Sequence, residues 1–229
     1  MVRFMKMNKV HDLTYHLYPE REQRRLKLIP TRTLETSYVN EFAMELHTHI
    51  GTHIEGPYHC LEEGKKLDEL PLDTYVGDAA VIDLSWNEEG DREITKEDLV
   101  KAGGHLRKGD IVLLKTGYDQ KFSGEEMQSV NYMAKSPYLS DEAVGRLLEK
   151  GIKNMGIDFW SIEEYPIDPE VGEPKHIRLF ERDIPFIHSL VNLVKVEAQR
   201  VFFIALPMLV SGLDSSPVRA ITIEYECPA

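Results

Sequence analysis

The stretch Glu45–His59, ELHTHIGTHIEGPYH, carries four of the chain's nine histidines: His47, His49, His53 and His59. At the chain's average density that span would hold only about half a histidine, a compositional deviation of the informative kind. Glu55 lies within it, and Gly51, Gly56 and Pro57 interrupt it. Such punctuation argues against a regular helix. Neutral imidazole is the commonest side-chain metal ligand, and a neighbouring carboxylate suits zinc, manganese or iron. The stretch reads as a metal-binding loop at the end of a strand.

Upstream, residues 38–47 alternate, with Phe42, Met44 and Leu46 on one face and Glu41, Ala43 and Glu45 on the other. Period two predicts a strand feeding the histidine loop. The charged segment from Tyr18 to Arg32, with Pro19 and Pro30, reads as a long surface loop. Downstream, strands are expected at 79–84, 110–115, 153–158, 201–206 and 220–224. The run 201–206 (VFFIAL) is continuously apolar and suits a strand buried on both faces, ended by Pro207. Thr95-x-x-Asp98 predicts a capping box before a helix closed by Gly103. Ser140 caps a second helix carrying Ala143, Val144, Leu147 and Leu148, with Gly151 after it. Alternating strands and helices predict an α/β fold with a mixed sheet.

The chain has 229 residues, and length alone admits one large domain or two small ones. No internal repeat, low-complexity tract or linker divides it, and a single domain over 1–229 is expected. Its net charge of −12 disfavours nucleic acid, because phosphate contacts need clustered Lys and Arg. Two cysteines make no disulfide framework, so a reducing, cytoplasmic setting is expected. Cys60, next to His59, reads as a small packed residue ahead of a soft ligand. The opening MVRFMKMNKV has no apolar core of a signal peptide. No apolar stretch reaches the roughly 18 residues of a membrane span.

His49, His53, Glu55 and His59 are spaced by four, two and four. In extended chain, positions two apart share a face; in a turn at Gly51, positions four apart converge. A catalytic zinc typically has three protein ligands and an open position for water. The ion lowers that water's pKa to roughly 7. A further histidine that does not bind metal then moves protons. The His47-x-His49 pair is also similar to the H-x-H of cupin sites, but capped helices count against an all-β jelly roll.

HIGTHIEGPYH, from His49 to His59, resembles the H-x-G-T-H-x-D-x-P-x-H signature of the metal-dependent cyclase family, which includes bacterial kynurenine formamidases and isatin hydrolases. His49, Gly51, Thr52, His53, Pro57 and His59 match it. Asp12-Leu13-Thr14 resembles the family's opening D-L-[ST]. GDAAVIDL (77–84) and KGDIVLLKTGY (108–118) resemble its central strands, IPFIHSLVNL (184–193) its I-P-x-x-E-x-L-x-N-L segment, and LDSSPVRAI (213–221) its G-x-S-P-x-R-A ending. The resemblance spans about residues 10 to 223. It implies a swivelling β/β/α domain, a homodimer or larger homo-oligomer, and metal-dependent hydrolysis of an amide or cyclic amide, with arylformamidase the best-known activity.

Carried over by position, the resemblance implies His49 and His53 as first-metal ligands and His59 as the catalytic histidine. Glu55 stands where the family has a bridging Asp. His176 stands at a second-metal histidine, and His188 where the family has a glutamate ligand. Glu55 keeps the carboxylate but moves its oxygens by about 1.5 Å, one single-bond length. His188 removes a negative charge, so one ion or two remain open, zinc first and manganese second. His59 as a ligand is the alternative to its catalytic role, and His47 is a candidate partner of a ligand. His11, His16 and His105 carry no such support. Ser215-Ser216-Pro217 lacks the G-x-S-x-G of a nucleophile turn. Tyr15, Tyr58, Trp86, Phe159 and Trp160 are candidates for an aromatic pocket around a small-molecule substrate. The charge between Tyr18 and Pro30 weighs against formylkynurenine. Two further readings stand beside the arylformamidase-like one: a hydrolase of lactones or cyclic amides, and a metal-binding protein rendered inert by the changes at 55 and 188.

Overall fold

The computed structural model describes residues 6–21, 26–85, 93–122, 126–127 and 129–226. Its strands in chain order are β1 (Lys6–Asp12), β2 (Leu26–Arg32), β3 (Glu41–Leu46), β4 (His53–Glu55), β5 (Val76–Asp83), β6 (Glu93–Ile94), β7 (Ile111–Lys115), β8 (Tyr138–Leu139), β9 (Asn154–Ile157), β10 (Phe186–His188), β11 (Arg200–Ile204), β12 (Ser215–Pro217) and β13 (Ile221–Glu226). The helices are α1 (Leu34–Ser37), α2 (Lys96–Ala102), α3 (Val130–Ala134), α4 (Asp141–Lys150) and α5 (Pro174–Phe180).

Nine strands form one mixed sheet, ordered β1-β13-β11-β5-β7-β9-β10-β4-β12. The centre, β5-β7-β9-β10, is parallel, and antiparallel strands flank it on both sides. Period two sorts the central side chains to two cores. Ala80, Ile82, Val112, Leu114, Met155 and Ile157 face the helices, meeting Leu99 of α2, Val144 and Leu147 of α4 and Leu179 of α5. Ala79, Val81, Ile111 and Leu113 face the other way, onto Leu67, Leu190, Val196 and Val218. This is the α/β class with a mixed sheet that the chain's alternation predicts.

The helix punctuation holds. Thr95 Oγ1 accepts from Asp98 N at 3.2 Å and Asp98 Oδ2 accepts from Thr95 N at 2.9 Å, closing the capping box. Ser140 Oγ accepts from Ala143 N at 3.1 Å, and Gly151 ends α4 in the left-handed region at φ 66°.

Three expectations are corrected. The segment 18–32 is not all loop: β2 lies within it, pairing only with β3, and Pro30 is tolerated in a strand outside the main sheet. The strand expected at 38–47 is present as β3 and leads into the histidine loop, within that separate hairpin, where Phe42 and Met44 are exposed. The apolar run at 201–206 is not buried on both faces. In β11 only Val201 and Phe203 are buried, and their neighbours alternate with them. The histidine loop is part strand: His53–Glu55 is β4, held between β10 and β12. Three residues are too short for a periodicity to be read.

Candidate metal centre

In β4 the alternation puts His53 and Glu55 on one face and buries Ile54 in the core on the other. His188 stands opposite His53 in the antiparallel register with β10. Gly51 turns the chain into β4 at φ +58°, and a Cβ there would lie 2.7 Å from Leu17 Cδ2. Thr52 ties this turn down, donating from Oγ1 to Ser189 O at 2.7 Å and accepting from Tyr15 N at 2.8 Å.

The four sequence-predicted histidine ligands converge on the fifth, Glu55. Its Oε1 lies 2.6 Å from His49 Nδ1 and 3.2 Å from His53 Nε2. Its Oε2 lies 3.1 Å from His188 Nε2 and 3.7 Å from His176 Nε2. The other nitrogen of each ring has an acceptor of its own. His53 Nδ1 donates to Gly51 O at 2.8 Å, and His188 Nδ1 to Trp160 O at 2.9 Å. His176 Nδ1 donates to Glu163 Oε1 at 3.0 Å, and His49 Nε2 to Asp214 Oδ2 at 2.7 Å.

Glu163 and Asp214 escaped the sequence reading. Glu163 also accepts from the backbone N–H of Lys175 and His176 in the first turn of α5, at 2.7 and 3.2 Å. That use of a carboxylate at a helix start is ordinary, yet its spacing from His176 has no local signature. Asp214 lies inside the family-like segment 213–221, but nothing in one sequence marks it as reaching His49.

Two buried atoms in this cluster have no hydrogen-bond partner: Glu55 Oε2 and His188 Nε2. They sit 3.1 Å apart without the alignment of a hydrogen bond. Unpaired buried polar atoms are costly, and such a pair fits a shared cation. Ligand atoms each about 2.1 Å from one ion lie about 3.0–3.4 Å apart at octahedral or tetrahedral angles, matching the His53, Glu55 and His188 spacings. His53, Glu55 and His188 offer ligand atoms all within 4.8 Å of one another, as do His49, Glu55 and His59. The donor set fits a divalent metal.

Burial would raise Glu55, but the charge of the nearby His188 and the close approach of His49 and His53 hold it well below the usual carboxylate range. Burial lowers His53. His59 stands at the edge of the cluster, its Nδ1 3.3 Å from Asp214 Oδ2 and its Nε2 3.5 Å from Glu173 Oε2 and 3.9 Å from Glu55 Oε2. Glu173 foremost, with Glu55 and Asp214, pushes His59 up to about 9. Burial and the nearby Glu173 push the Cys60 thiol up to about 12, so it carries no thiolate at neutral pH.

The cluster opens into a cavity of about 680 Å³ lined also by Tyr15, Met127, Met133, Trp160 and Ile167. Of the aromatic candidates, Tyr15 and Trp160 reach it, Phe159 is in the core, Tyr58 is exposed, and Trp86 lies outside the described residues. His47 lines it and accepts from the His49 backbone N–H at 3.2 Å. His11 and His105 pair elsewhere, with Glu224 and Val81 O, and His16 stacks on Tyr18.

An imidazole-rich centre built around one buried carboxylate, at the base of a cavity, is the architecture of a metal-dependent hydrolase. The chain belongs to the putative cyclase family, whose model matches residues 11–164. It is similar to kynurenine formamidase of Bacillus thuringiensis (strain Al Hakam), 34% identical over 187 residues covering 82% of this chain and 81% of the relative. Kynurenine formamidase of Salinibacter ruber is 32% identical over 190 residues, covering 83% and 82%. Among solved structures, a potential metal-dependent hydrolase with cyclase activity matches at TM-score 0.73 and 27% identity, covering 96% of this chain and 99% of its own. Isatin hydrolase A from Labrenzia aggregata shares the fold at TM-score 0.80 and 23% identity, covering 95% and 94%. This chain is a hydrolase of the cyclase family. None of its described helices is long and apolar enough to cross a membrane.

Proposed function

We propose that this hydrolase is metal-dependent and cleaves an amide or cyclic amide, in the manner of an arylformamidase. The observation that carries the reading is the set of four imidazoles, His49, His53, His176 and His188, each tied through one nitrogen and turning the other to Glu55. These five residues would hold one divalent ion or two. Nitrogen donors with a single carboxylate favour zinc, and manganese is the second metal to test. The relatives named kynurenine formamidase support the amide chemistry.

A bound divalent ion supplies Lewis-acid polarisation of the scissile carbonyl and a water acidified to a pKa of roughly 7. His59 carries the proton. Its Nδ1–H is anchored on Asp214, and its Nε2 faces Glu55 and Glu173 at the cavity edge. In its neutral form, which a nearby cation would favour over the imidazolium held by the carboxylates of the metal-free site, it accepts a proton as water adds to the carbonyl carbon and delivers it to the leaving nitrogen, a poor leaving group unless protonated. Trp160, Met127, Met133 and Ile167 give that substrate an apolar wall. The chain works as a single cytoplasmic domain within a homodimer or larger homo-oligomer, a reading supported by the exposed Leu28, Phe42 and Met44 of the β2–β3 hairpin.

The test is turnover of a panel of formanilides, lactams and lactones by chelated protein reloaded with zinc or manganese. Metal-dependent hydrolysis of an amide is expected. The competing reading, an inert metal-binding protein, is favoured by the histidine at 188, which leaves Glu55 the sole carboxylate ligand. It gives metal uptake with no turnover anywhere in the panel. Lactone cleavage alone would move the substrate class.

A further inference from the structure

One oxygen, Asp214 Oδ2, serves two imidazoles with different duties. It lies 2.7 Å from His49 Nε2 and 3.3 Å from His59 Nδ1. With His49 Nδ1 given to a metal and His59 Nε2 to proton transfer, as proposed above, the nitrogen facing Asp214 is the one left to donate, since a carboxylate only accepts. His49 then turns Nδ1 toward Glu55, and His59 turns Nε2 toward the cavity edge. The two rings are 4.5 Å apart, so a shift of this carboxylate moves both.

The carboxylate is itself held. Asp214 O accepts from Gly56 N at 2.9 Å, Thr48 Oγ1 donates to Asp214 Oδ1 at 3.4 Å, and Ser215 Oγ donates to Thr48 O at 3.2 Å. The residue immediately precedes β12, which pairs with β4 through Ser215 opposite Glu55. The histidine strand and the carboxylate strand therefore move as one piece. Charge gives a second reason for an anion here. With histidine at 188, Glu55 is the lone carboxylate among the five ligands, and an anion hydrogen-bonded to a ligand imidazole raises its basicity toward a metal.

We propose that Asp214 is a positioning residue shared by the two halves of the site, its Oδ2 orienting His49 for metal binding and His59 for proton transfer. The proposal rests on the metal-dependent reading above. It is tested on chelated full-length protein by titrating cobalt(II) and zinc, followed by absorption and calorimetry, and by steady-state kinetics at saturating metal. Asp214→Asn should weaken metal affinity about 10–100-fold, the usual cost of losing an outer partner of a ligand. At saturating metal its kcat should stay down by about tenfold or more, because His59 is still misaligned, while KM changes little. Asp214→Glu should restore part of both.

Wild-type metal affinity in Asp214→Asn, or wild-type kcat once metal is saturating, overturns the shared role. Should the variant fail to fold, ring nitrogen NMR of the zinc-loaded wild-type protein decides. Hydrogens on His49 Nε2 and His59 Nδ1 support the proposal, and either ring in the other tautomer overturns it. Wild-type protein that takes up no metal brings down the functional reading as well. Loaded, active wild-type protein with a silent Asp214→Asn brings down this proposal alone.

Discussion

His53 and His188 face one another across adjacent antiparallel strands with their rings stacked at 5.0 Å, 5° from parallel. Both Nε2 atoms reach Glu55, one on each carboxylate oxygen. The pairing register, rather than loop flexibility, sets this separation, so it is rigid. His53→Ala and His188→Ala should each abolish stoichiometric metal in elemental analysis, with the protein still folded by circular dichroism. Metal content at wild-type level in the double variant would remove both from the ligand set.

Glu163 touches no predicted substrate space but holds His176 by its ring and its backbone. Glu163→Gln should weaken metal affinity by about 10–100-fold. Calorimetric titration of the chelated variant reads this directly, and an unchanged isotherm would show that α5 positions His176 without help.

His59→Ala should separate proton transfer from metal binding. As an acid–base group its loss costs about 10²–10⁴-fold in turnover and leaves metal content near wild type. Loss of metal together with activity would make His59 a ligand instead, and full activity would exclude both roles.

In metal-free protein, His59 is raised from 6.5 to about 9, chiefly by Glu173. A folded value above the unfolded one contributes stability that is whole below 6.5 and is lost as pH rises through about 9. Thermal melts in chelator should therefore fall across that window. The fall should be shallower in Glu173→Gln, and an identical slope in the two proteins would contradict the assignment.

Leu147 is fully buried between α4 and the sheet. Leu147→Ala should cost about 2–5 kcal/mol in denaturant melts, against about 1 kcal/mol for removing the Ser140 cap. Equal, small effects would mean that α4 packs loosely.

The helix boundaries at Thr95, Gly103, Ser140 and Gly151 were legible because capping is local chemistry. The central strands were legible because they are apolar runs bounded by polar turns. β3 was legible from its period two, but β2 was not, since it is paired outside the main sheet and no core face imposes alternation on it. The five residues around Glu55 could be named from the family-like motifs, including His176 and His188 far along the chain. Glu163, Glu173 and Asp214 could not. Acidic residues are common, and what distinguishes these three is a contact made only after folding.

β4 has no partner close to it in the chain. Thr52 reaches Ser189 across 137 residues, and His49 reaches Asp214 across 165. Closing loops of that length is slow and is rewarded only at the end. A polypeptide leaving the ribosome would thus display its histidine-rich segment long before the strands that order it have been synthesised. Tight capture of a metal by the proposed ligands would have to wait for those strands. Until then the chain would carry clustered imidazoles with no fixed geometry to select among divalent cations.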